Sequence, residues 1–584
     1  MDTLHRPGAT VLADFRAEYN ADDNRVQHVA RNAITHASVS KVLVDPHKAD
    51  RLHATFSDEL DVDTKISDQQ SSGRCWIFSF LNVLRAHFVH EYDLPASFEF
   101  SQAYMFFWDQ FEKCNQFLRY IWELKDEPSD HPVVRELLKE PISDGGQWHM
   151  LQNLVAKYGV VPKHCMGESK QANATEKMTG ILAGKLREYA HHLRTRTIAD
   201  NQLEDTLRPM LYTVYSILCV FLGEPPKTIQ WEYNPSAENF VKRKFKKHYS
   251  NRKGQAKRKS SATQHSKATE TTKSGAGAHR STSGGTRASS RRTSSSARRA
   301  ASSGPTEPYH IDKKPFEQSP EYTPLEFYKA FVKVPIDEYV TVIHYPHPNR
   351  PFHRRFQVKY LNNMVGGRES ELHNLPMDDM KEIAVRSLDA GEPIWFCADI
   401  SKDSSIKYGI LDPDAMDYRN VFKTEPHGWN KGLRMEYKDG TPSHAMAFRG
   451  YHIDTPADAS KPKRKATASN ARASSKRTNS RSMKQTTTTR KKGGRRASST
   501  RKRTTASTKP KAPPALRAPS RWLVENSWGE YAGKDGNLVM SNAWFDRHVY
   551  EIAVHKRHLL RAPDKQPIIK LEMWDVFGSL FTVH

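Results

Sequence analysis

The sequence has few cysteines and lacks the spacing that would pair them. Its 584 residues include five, namely Cys75, Cys114, Cys165, Cys219 and Cys397, and no two of them form a CxxC motif. An odd number of scattered thiols argues against a disulfide scaffold, so we expect reduced cysteines in a reducing compartment. Neighbouring residues 164 and 165 are His and Cys, but no further ligand pair at zinc-finger spacing accompanies them, so we expect no metal.

Long apolar runs are also missing. The longest lies near residues 211–223 and is too short for a transmembrane helix, which needs about 20 apolar residues. The N-terminal residues 1–20 carry early charges and no apolar segment of their own, so they do not resemble a secretory signal. We therefore expect a soluble protein of the cytoplasm, with the nucleus as the alternative location.

Acidic residues are almost absent from two segments. Residues 242–304 hold 18 Lys or Arg and one acid, and residues 461–520 hold 20 Lys or Arg and no acid. The two segments together carry a charge of +37, which leaves −13 on the rest of a chain whose total is +24. Both consist mainly of Ser, Thr, Ala, Gly and basic residues. Such segments bury too little apolar surface to offset the entropy of ordering, so we expect them to be disordered.

Two interpretations of these basic segments stay open. One is electrostatic binding to nucleic acid or another polyanion, without sequence preference and with a strong dependence on salt. The other is low-complexity expansion of exposed loops that have no dedicated role. The interleaved residues are not aromatic, so base stacking is not indicated. Basic clusters at residues 257–259 and 461–465 also resemble nuclear localisation signals.

The remaining sequence predicts helices first and strands later. Residues 14–18 suggest a helical arm, residues 75–88 have one apolar helical face, and further helices are predicted at 98–118, after Trp148, and over most of 170–223. Beyond residue 337 the units are shorter, and we predict strands at 340–343, 393–397, 445–451, 522–526, 536–540 and 550–554. This order indicates an α+β fold.

Cys75 has the sequence surroundings of a nucleophile. It follows a polar loop and begins the apolar helix, with Ile77, Phe80 and Leu84 at helical spacing behind it. The start of a helix presents unpaired N–H groups and partial positive charge, which favour the thiolate. We predict that Cys75 is catalytic and that the other four cysteines, which lie in apolar runs, are buried small hydrophobic residues.

The other parts of a thiol site are present as well. The amide of Gln69, six residues before the thiol, can reach an oxyanion together with the backbone N–H of Cys75. His444 begins an apolar strand in PSHAMA, and Asn526 lies on another strand in VENSWG. Setting the basic segment 461–520 aside leaves His444 and Asn526 22 positions apart, which suits two neighbouring antiparallel strands.

These residues resemble those of papain-like cysteine peptidases, and the chain is similar in detail to the bleomycin hydrolase family of cytosolic cysteine aminopeptidases. The resemblance covers nearly everything outside the two basic segments. It is carried by the motifs QQSSGRCWIFSFLNVLR, FSQAYMFFWDQFEKC, DGGQWHMLQNLVAKYGVVPKHC, LGEPPKTIQWEY, TPLEFY, YLNNMVGGR, GEPIWF, SHAMAF, WLVENSWGE and WDVFGSLFTVH.

The resemblance implies a papain-like fold with a helical left part, an antiparallel β right part and additional helices. It also implies a homohexamer, peptide substrates and no cofactor. It assigns four roles: nucleophile Cys75, base His444, orienting residue Asn526 and oxyanion donor Gln69. Three further positions match the substrate cleft, namely Gly145 and Gly146, which let the substrate backbone approach, and Trp528, which shields the His–Asn contact.

Five parts follow from this reading. They are an N-terminal arm with the nucleophile-bearing helical domain (1–241), a disordered basic insertion (242–304), a helical continuation with the β domain that bears His444 (305–460), a second basic insertion (461–520), and the β domain with Asn526 and the C-terminal tail (521–584).

The C-terminal tail departs from the family pattern. In the family the C-terminus enters the cleft, where its carboxylate meets the free amine of the substrate and enforces aminopeptidase action. Here residues 574–580 match the usual ending, but Phe581–His584 extend beyond it. This extension would misplace the carboxylate, so we predict self-cleavage at Leu580–Phe581 or Phe581–Thr582.

Two functions from different classes stay open. The first is a cysteine aminopeptidase that acts through a Cys-His-Asn thioester mechanism. The second is a polyanion-binding protein whose peptidase domain is inactive or secondary. The complete set of Gln, Cys, His and Asn favours the enzyme.

Overall fold

The structure, a computed structural model, describes residues 9–62, 64–92, 94–231, 320–454, 518–563 and 565–578. Its long helices come first in the chain, as the periodicity predicts. The helices are α1 (Ala9–Tyr19), α2 (Arg25–His36), α3 (Val39–Leu43), α4 (Pro46–Ala49), α5 (Cys75–Tyr92), α6 (Gln102–Glu123), α7 (Pro132–Lys139), α8 (Trp148–Tyr158), α9 (Glu176–Thr195), α10 (Leu203–Leu222), α11 (Pro324–Phe327), α12 (Met377–Asp389), α13 (Tyr418–Phe422), α14 (Lys431–Glu436) and α15 (Asn542–His548).

Most strands lie in the later part of the chain, where strands are predicted. They are β1 (Asp58–Glu59), β2 (Ile229–Gln230), β3 (Glu321–Tyr322), β4 (Tyr339–Ile343), β5 (Arg354–Val358), β6 (Leu372–Asn374), β7 (Ile394–Ala398), β8 (Ser404–Ser405), β9 (Ile410–Leu411), β10 (His444–His452), β11 (Arg521–Glu525), β12 (Asn537–Ser541), β13 (Val549–His555) and β14 (Ile569–Leu571). Together with the helices they confirm the α+β class.

One large sheet organises the later half of the chain. Its strand order is β14-β5-β6-β4-β13-β7-β10-β11-β12-β9-β8, and β1 pairs with β10. The expected β part is purely antiparallel, but the sheet is mixed, because β4–β6, β5–β14 and β9–β12 run parallel. The β4–β6 pair is parallel because β5 comes between the two in sequence but lies outside them in the sheet.

The two faces of the sheet belong to different apolar clusters. Along β7, Trp395 and Cys397 face the cluster that contains α5 and the other long helices. The alternate residues Ile394 and Phe396 face a second cluster with α12 and α15. Because strand side chains alternate between faces and both faces of the sheet are covered, a central strand such as β7 is apolar along its whole length.

Helix α5 is buried on nearly every side. The predicted apolar positions are buried, but so is Arg85, although a helix with a single apolar face is expected to leave its charged residues exposed. Its guanidinium pairs with Glu525 at 3.3 Å and donates to the Lys65 carbonyl at 2.9 Å. A buried cation requires such partners because its desolvation is costly. Arg85 therefore joins α5 to the end of β11.

Strands β10 and β11 are antiparallel neighbours, as the 22-residue span predicts. Ala447 pairs with Glu525 in this ladder. That register places His444, three residues before Ala447, and Asn526, one residue after Glu525, at the same end of the sheet. The helix α5 packs against β10, so its first residue meets this end of the sheet.

Helix starts follow local capping. The aromatic-rich helix predicted from residue 98 begins at Gln102, because the Ser101 hydroxyl accepts a hydrogen bond from the backbone N–H of Tyr104 at 3.0 Å. The predicted helical region 170–223 contains two helices, and the second ends at Gly223 with φ of 88°. A glycine adopts this backbone conformation without the strain a side chain would add.

Three predicted features lie outside the described residues. They are the disorder expected in 242–304, the disorder expected in 461–520 as far as residue 517, and self-cleavage in the tail beyond Gly578. The end of the second segment is described, and there the expectation is wrong, because the Ser520 N–H donates to the His452 carbonyl at 2.8 Å just before β11 begins. Among the helices that the structure describes, none is long and apolar enough to cross a membrane.

Candidate active site

The Cys75 thiol lies at the junction of α5 and the sheet. Its residue is 3% exposed, and Sγ accepts a hydrogen bond from the backbone N–H of Ala445 at 3.5 Å. The expectation was a lowered pKa, but burial raises the pKa of Cys75 to about 11. The N–H group of Ala445 on β10 lowers that pKa, as do those of Trp76 and Cys75 at the start of α5, but burial outweighs them.

His444 and Asn526 form the predicted pair. The His444 Nε2 lies 2.8 Å from Asn526 Oδ1, and both residues are buried. The same amide oxygen accepts the backbone N–H of Ser527 at 2.8 Å, which identifies it as the oxygen. His444 Nε2 must then carry the proton, and its Nδ1 is left as the acceptor.

Burial acts in opposite directions on the pKa values of the thiol and the imidazole. Burial lowers the pKa of His444 to about 4, although the Asn526 side chain raises it. With the Cys75 pKa raised to about 11, burial favours the neutral form of both groups. Among the described residues, no hydrogen bond joins the thiol to the imidazole. An ion pair between them therefore requires proton transfer within the pair.

Gln69 is held from three directions. Its Nε2 donates to the Ser72 carbonyl at 2.7 Å, its Oε1 accepts from the Ser527 hydroxyl at 2.7 Å, and its backbone N–H donates to the Ser527 carbonyl at 2.8 Å. One N–H of its side-chain amide has no partner among the described residues. The N–H of Cys75, in the first turn of α5, has no carbonyl of its own helix to bind. The two groups are therefore suited to an oxyanion.

Gly145 and Gly146 form a wall directly beside the nucleophile helix. A Cβ added to Gly146 would lie 2.7 Å from the indole ring of Trp76, the residue that follows Cys75. The carbonyl of Gly145 accepts from Lys113 Nζ at 2.5 Å. The close approach of the Trp76 ring explains why Gly146 cannot carry a side chain.

Trp528 stacks near the base. Its ring centroid lies 4.7 Å from that of His444, with the planes inclined by 32°. Its side chain is half-buried and lies beside the His444 ring, whose hydrogen bond to Asn526 is buried. The structure therefore brings Cys75 and the other six predicted site residues together.

Asp144 is a site residue that sequence reasoning missed. One carboxylate oxygen accepts the Gly73 N–H at 2.8 Å and the Thr175 hydroxyl at 2.5 Å, and its backbone carbonyl accepts from Trp76 Nε1 at 2.8 Å. Its negative charge also raises the pKa of Cys75, although less than burial does. The available signal was its position immediately before the glycine pair.

A buried ion pair fixes the loop before Cys75. The Arg74 side chain is 0% exposed, and its guanidinium pairs with Glu168 at 2.8 Å. Its Nε donates to the Ser72 hydroxyl at 3.0 Å, and that hydroxyl donates to the Gln69 carbonyl at 2.6 Å. Arg74 therefore joins the part of the loop that contains Gln69 to Glu168, which lies 94 residues further along the chain.

The remaining cysteines are free, and Cys114 and Cys397 are buried, as expected, whereas Cys165 and Cys219 are only partly buried. Within the described residues, no group of three or more His, Cys, Asp or Glu side chains could hold a metal ion. The assembled side chains can perform nucleophilic attack by a thiol, with an oriented imidazole to move protons.

A family model described as the Peptidase C1-like family matches residues 9–253, 306–469 and 509–578 of the chain. These three matches leave out most of each basic segment. They include all seven predicted site residues.

Individual relatives agree with this match. Bleomycin hydrolase of Rattus norvegicus is 30% identical over 526 residues, which cover 88% of this chain and 86% of the rat protein. Aminopeptidase W of Lactobacillus delbrueckii subsp. lactis is 28% identical over 579 residues, which cover 98% of this chain and 99% of that protein. A crystal structure of PepW from Lactobacillus rhamnosis HN001 covers 98% of both chains with a TM-score of 0.70 and 26% sequence identity.

Proposed function

The chain belongs to the Peptidase C1-like family and is a cysteine-type peptidase, and we propose that it removes residues from free peptide N-termini through a thioester on Cys75. The relatives named bleomycin hydrolase and aminopeptidase support the aminopeptidase activity. The observation that carries the roles of individual residues is the 2.8 Å bond between His444 and Asn526 beside a thiol at a helix start.

Acylation begins from the neutral pair. When the substrate carbonyl reaches Sγ, His444 Nδ1 takes the thiol proton and the thiolate attacks the carbonyl carbon. Asn526 keeps Nε2 protonated, so the ring accepts the proton at the nitrogen that faces the reaction. The Gln69 amide and the Cys75 N–H stabilise the oxyanion. The imidazolium then protonates the leaving amine, and the thioester remains.

Deacylation returns the site to its starting state. His444 removes a proton from water, the resulting hydroxide attacks the thioester carbon, and the Cys75 sulfur leaves with the proton from His444. Trp528 limits solvent access to the His444–Asn526 bond during both halves of the reaction. No metal or cofactor is needed for either half.

The test is hydrolysis of aminoacyl fluorogenic amides by wild type and by Cys75→Ala. We expect wild type to release the fluorophore, a thiol-alkylating reagent to abolish this release, and the variant to show none. Equal activity of wild type and variant would contradict the proposed nucleophile. Cys114→Ala is the matched control, since Cys114 is also a buried helical thiol but lies outside the site.

The described part of the tail supports an N-terminal limit on cleavage. The Phe577 carbonyl accepts a hydrogen bond from the Gln147 side chain, next to the glycine wall, and its ring lies 5.2 Å from that of Tyr345. A cavity of about 330 Å³ adjoins Gly578 and Ser143. We propose that the tail beyond Gly578 blocks the cleft after one substrate residue, once it has cut itself near Leu580. Intact mass of active enzyme with all four extra residues still present would contradict this self-cleavage.

The basic segments give a second proposed activity, which rests on composition. Segments 242–304 and 461–520 carry +37 against −13 for the rest of the chain, which suits salt-dependent binding to nucleic acid. Deleting both segments should abolish retention of DNA or RNA on a gel and leave hydrolysis intact. The opposite outcome would contradict this division of activities. In a homohexamer, which the resemblance implies, twelve such segments would add their weak contacts through avidity.

A further inference from the structure

The order of the strands shows on which side of the nucleophile the leaving part of a peptide lies. At the sheet edge that bears the site, the end of β4, the start of β13, the end of β7, the start of β10 and the end of β11 follow one another. His444 begins β10. Tyr345, just beyond β4, contacts Phe577 of the tail, whereas Asn526 and Trp528 come just after β11. The tail and Trp528 therefore lie on opposite sides of His444.

Two side chains flank Trp528 on the side away from the tail. Asp68 pairs with Trp528 in a short β-bridge and directly precedes the oxyanion donor Gln69. A Cβ added to Gly529 would lie 2.6 Å from the Tyr531 ring and 3.0 Å from an Asp68 carboxylate oxygen. Both groups therefore converge on the residue that follows Trp528. A peptide whose free N-terminus points toward the tail extends its leaving part toward them.

The leaving-side rim, defined here as Asp68, Glu530 and Tyr531, carries negative charge. Within the described part of the chain, the hydrogen bonds that Asp68 accepts come from the uncharged groups of Gln70 and Tyr531, so its charge is not neutralised there. Glu530 is exposed between Gly529 and Tyr531 and adds a second negative charge. Partial burial raises the pKa of Tyr531, and the charge of Asp68 raises it further.

The rim also presents an aromatic ring to solvent. Tyr531 is 79% exposed, although its neighbours Gly529 and Ala532 are buried. The negative face of an aromatic ring attracts a cation, and a carboxylate forms its strongest hydrogen bonds with charged donors. A cationic group is therefore the chemistry that Asp68 and Tyr531 can bind together.

We propose that Asp68 and Tyr531 bind the side chain of the substrate's second residue and favour arginine or lysine at that position. When one residue is removed from a peptide, the second residue is the first of the leaving part, and its Cα lies about 3.8 Å beyond that of the first residue. A Lys or Arg side chain carries its charge on a long apolar stem, so it can pass Trp528 and reach the rim. Arginine suits both groups, because a guanidinium stacks on aromatic rings and binds carboxylates with two hydrogen bonds.

The inference rests on the proposed aminopeptidase activity and deepens it. The tail limits cleavage to one residue at a free terminus, whereas the leaving-side rim acts on the residue that follows the cut. The two determinants lie on opposite sides of His444, so each can be altered without the other. The rim therefore selects among peptides that share the same first residue.

The experiment compares two peptides that differ by one charge. Ala-Arg-Gly and Ala-citrulline-Gly have second residues of nearly the same size, but the ureido group of citrulline is neutral. Initial rates of alanine release give kcat/KM for each peptide, and the arginine-to-citrulline ratio is measured for wild type, Asp68→Asn and Tyr531→Ala. We expect a wild-type ratio above about 5, and each variant should lower it about 2- to 5-fold, the size of an exposed ion pair or cation–π contact.

Conservative variants and salt separate recognition from a merely structural effect. Asp68→Glu keeps the charge and Tyr531→Phe keeps the ring, so both should keep most of the wild-type ratio. Raising the ionic strength from about 0.05 M to about 0.5 M should lower the ratio in wild type and much less in Asp68→Asn, because exposed charges are screened by salt. Asp200→Asn and Tyr212→Ala are the matched controls, since they remove an exposed acid and an exposed tyrosine at α10 and should keep the wild-type ratio.

The same data separate this inference from the proposed function. An inactive wild type whose Cys75 is reduced would refute the peptidase and the inference together. An active wild type with a ratio near one, or with the same ratio in the folded Asp68 and Tyr531 variants, would refute the inference alone. If Asp68→Asn does not fold, Tyr531→Ala decides the question, because its side chain is exposed and lies outside the core.

Discussion

Replacing His444 tests whether a buried, neutral thiol is activated by transfer of its proton to the neighbouring imidazole. His444→Gln keeps most of the side-chain volume and removes the titrating ring. Wild type contains a thiol whose pKa burial raises to about 11 and an imidazole whose pKa burial lowers to about 4. Between these values a proton moves within the pair without uptake from solvent. The reactivity of the wild-type thiol should therefore be nearly independent of pH in this window and fall below about pH 4.

The variant should behave differently because its thiol must lose its proton to solvent. A pKa of about 11 leaves a thiolate fraction of about 10⁻⁴ at pH 7, and the ordinary value of 9.0 leaves about 10⁻². The alkylation rate of Cys75 at pH 7 should thus fall, because the variant reacts only through this small thiolate fraction and has no imidazole to accept the thiol proton during the attack. It should rise about tenfold per pH unit toward the thiol pKa.

The assay is alkylation by iodoacetamide from pH 5 to 10, with the modified peptide mapped by mass spectrometry to separate Cys75 from the other cysteines. His149→Gln is the matched control, because burial also lowers the pKa of His149 to about 4 and, within the part of the chain that the structure describes, its ring bonds only the Leu361 carbonyl at 2.9 Å. It should keep the wild-type profile. A His444→Gln profile that matched wild type in rate and shape would refute activation by proton transfer.

Three further variants test the supports of the site. Asn526→Ala removes the acceptor of the 2.8 Å bond and should lower kcat/KM about 10- to 100-fold in amide hydrolysis, and an unchanged value would exclude an orienting role. Glu525→Ala leaves the buried Arg85 and Arg449 uncompensated and should lower the free energy of unfolding by about 3–5 kcal/mol in denaturant titration, whereas a loss below about 1 kcal/mol would contradict this. Gly146→Ala places a methyl group 2.7 Å from the indole ring of Trp76. It should lower the free energy of unfolding by about 1–3 kcal/mol in the same titration and reduce kcat/KM, and unchanged values would show that the wall shifts freely.

Much of the fold was accessible from local patterns. The apolar period behind Cys75 predicts α5, and strand-like runs predict β4, β7, β10, β11, β12 and β13, because these periodicities express which side of an element is buried. The positions of His444 and Asn526 on neighbouring strands also followed from sequence once the basic segment between them was set aside. The parallel pairs in the sheet did not, because they depend on the order of strands in space.

The candidate site was likewise predictable from sequence only in part. Residue types and spacing identified Gln69, Cys75, His444 and Asn526, since a thiol reaction needs a donor, a nucleophile, a base and an orienting group. They did not identify Asp144, whose contacts with Gly73 and Thr175 are formed between separate loops.

The sequence by itself determined the elements and the chemistry that their side chains can perform, because helical and strand periods and functional groups are local properties. Only the tertiary structure decided which protonation state the thiol and the imidazole favour. Burial raises the pKa of Cys75 and lowers that of His444, against the effect expected at a helix start. It also decided that Glu551 is buried beside Cys397 with no hydrogen-bond donor among the described residues, because a cross-strand register joins residues far apart in the chain.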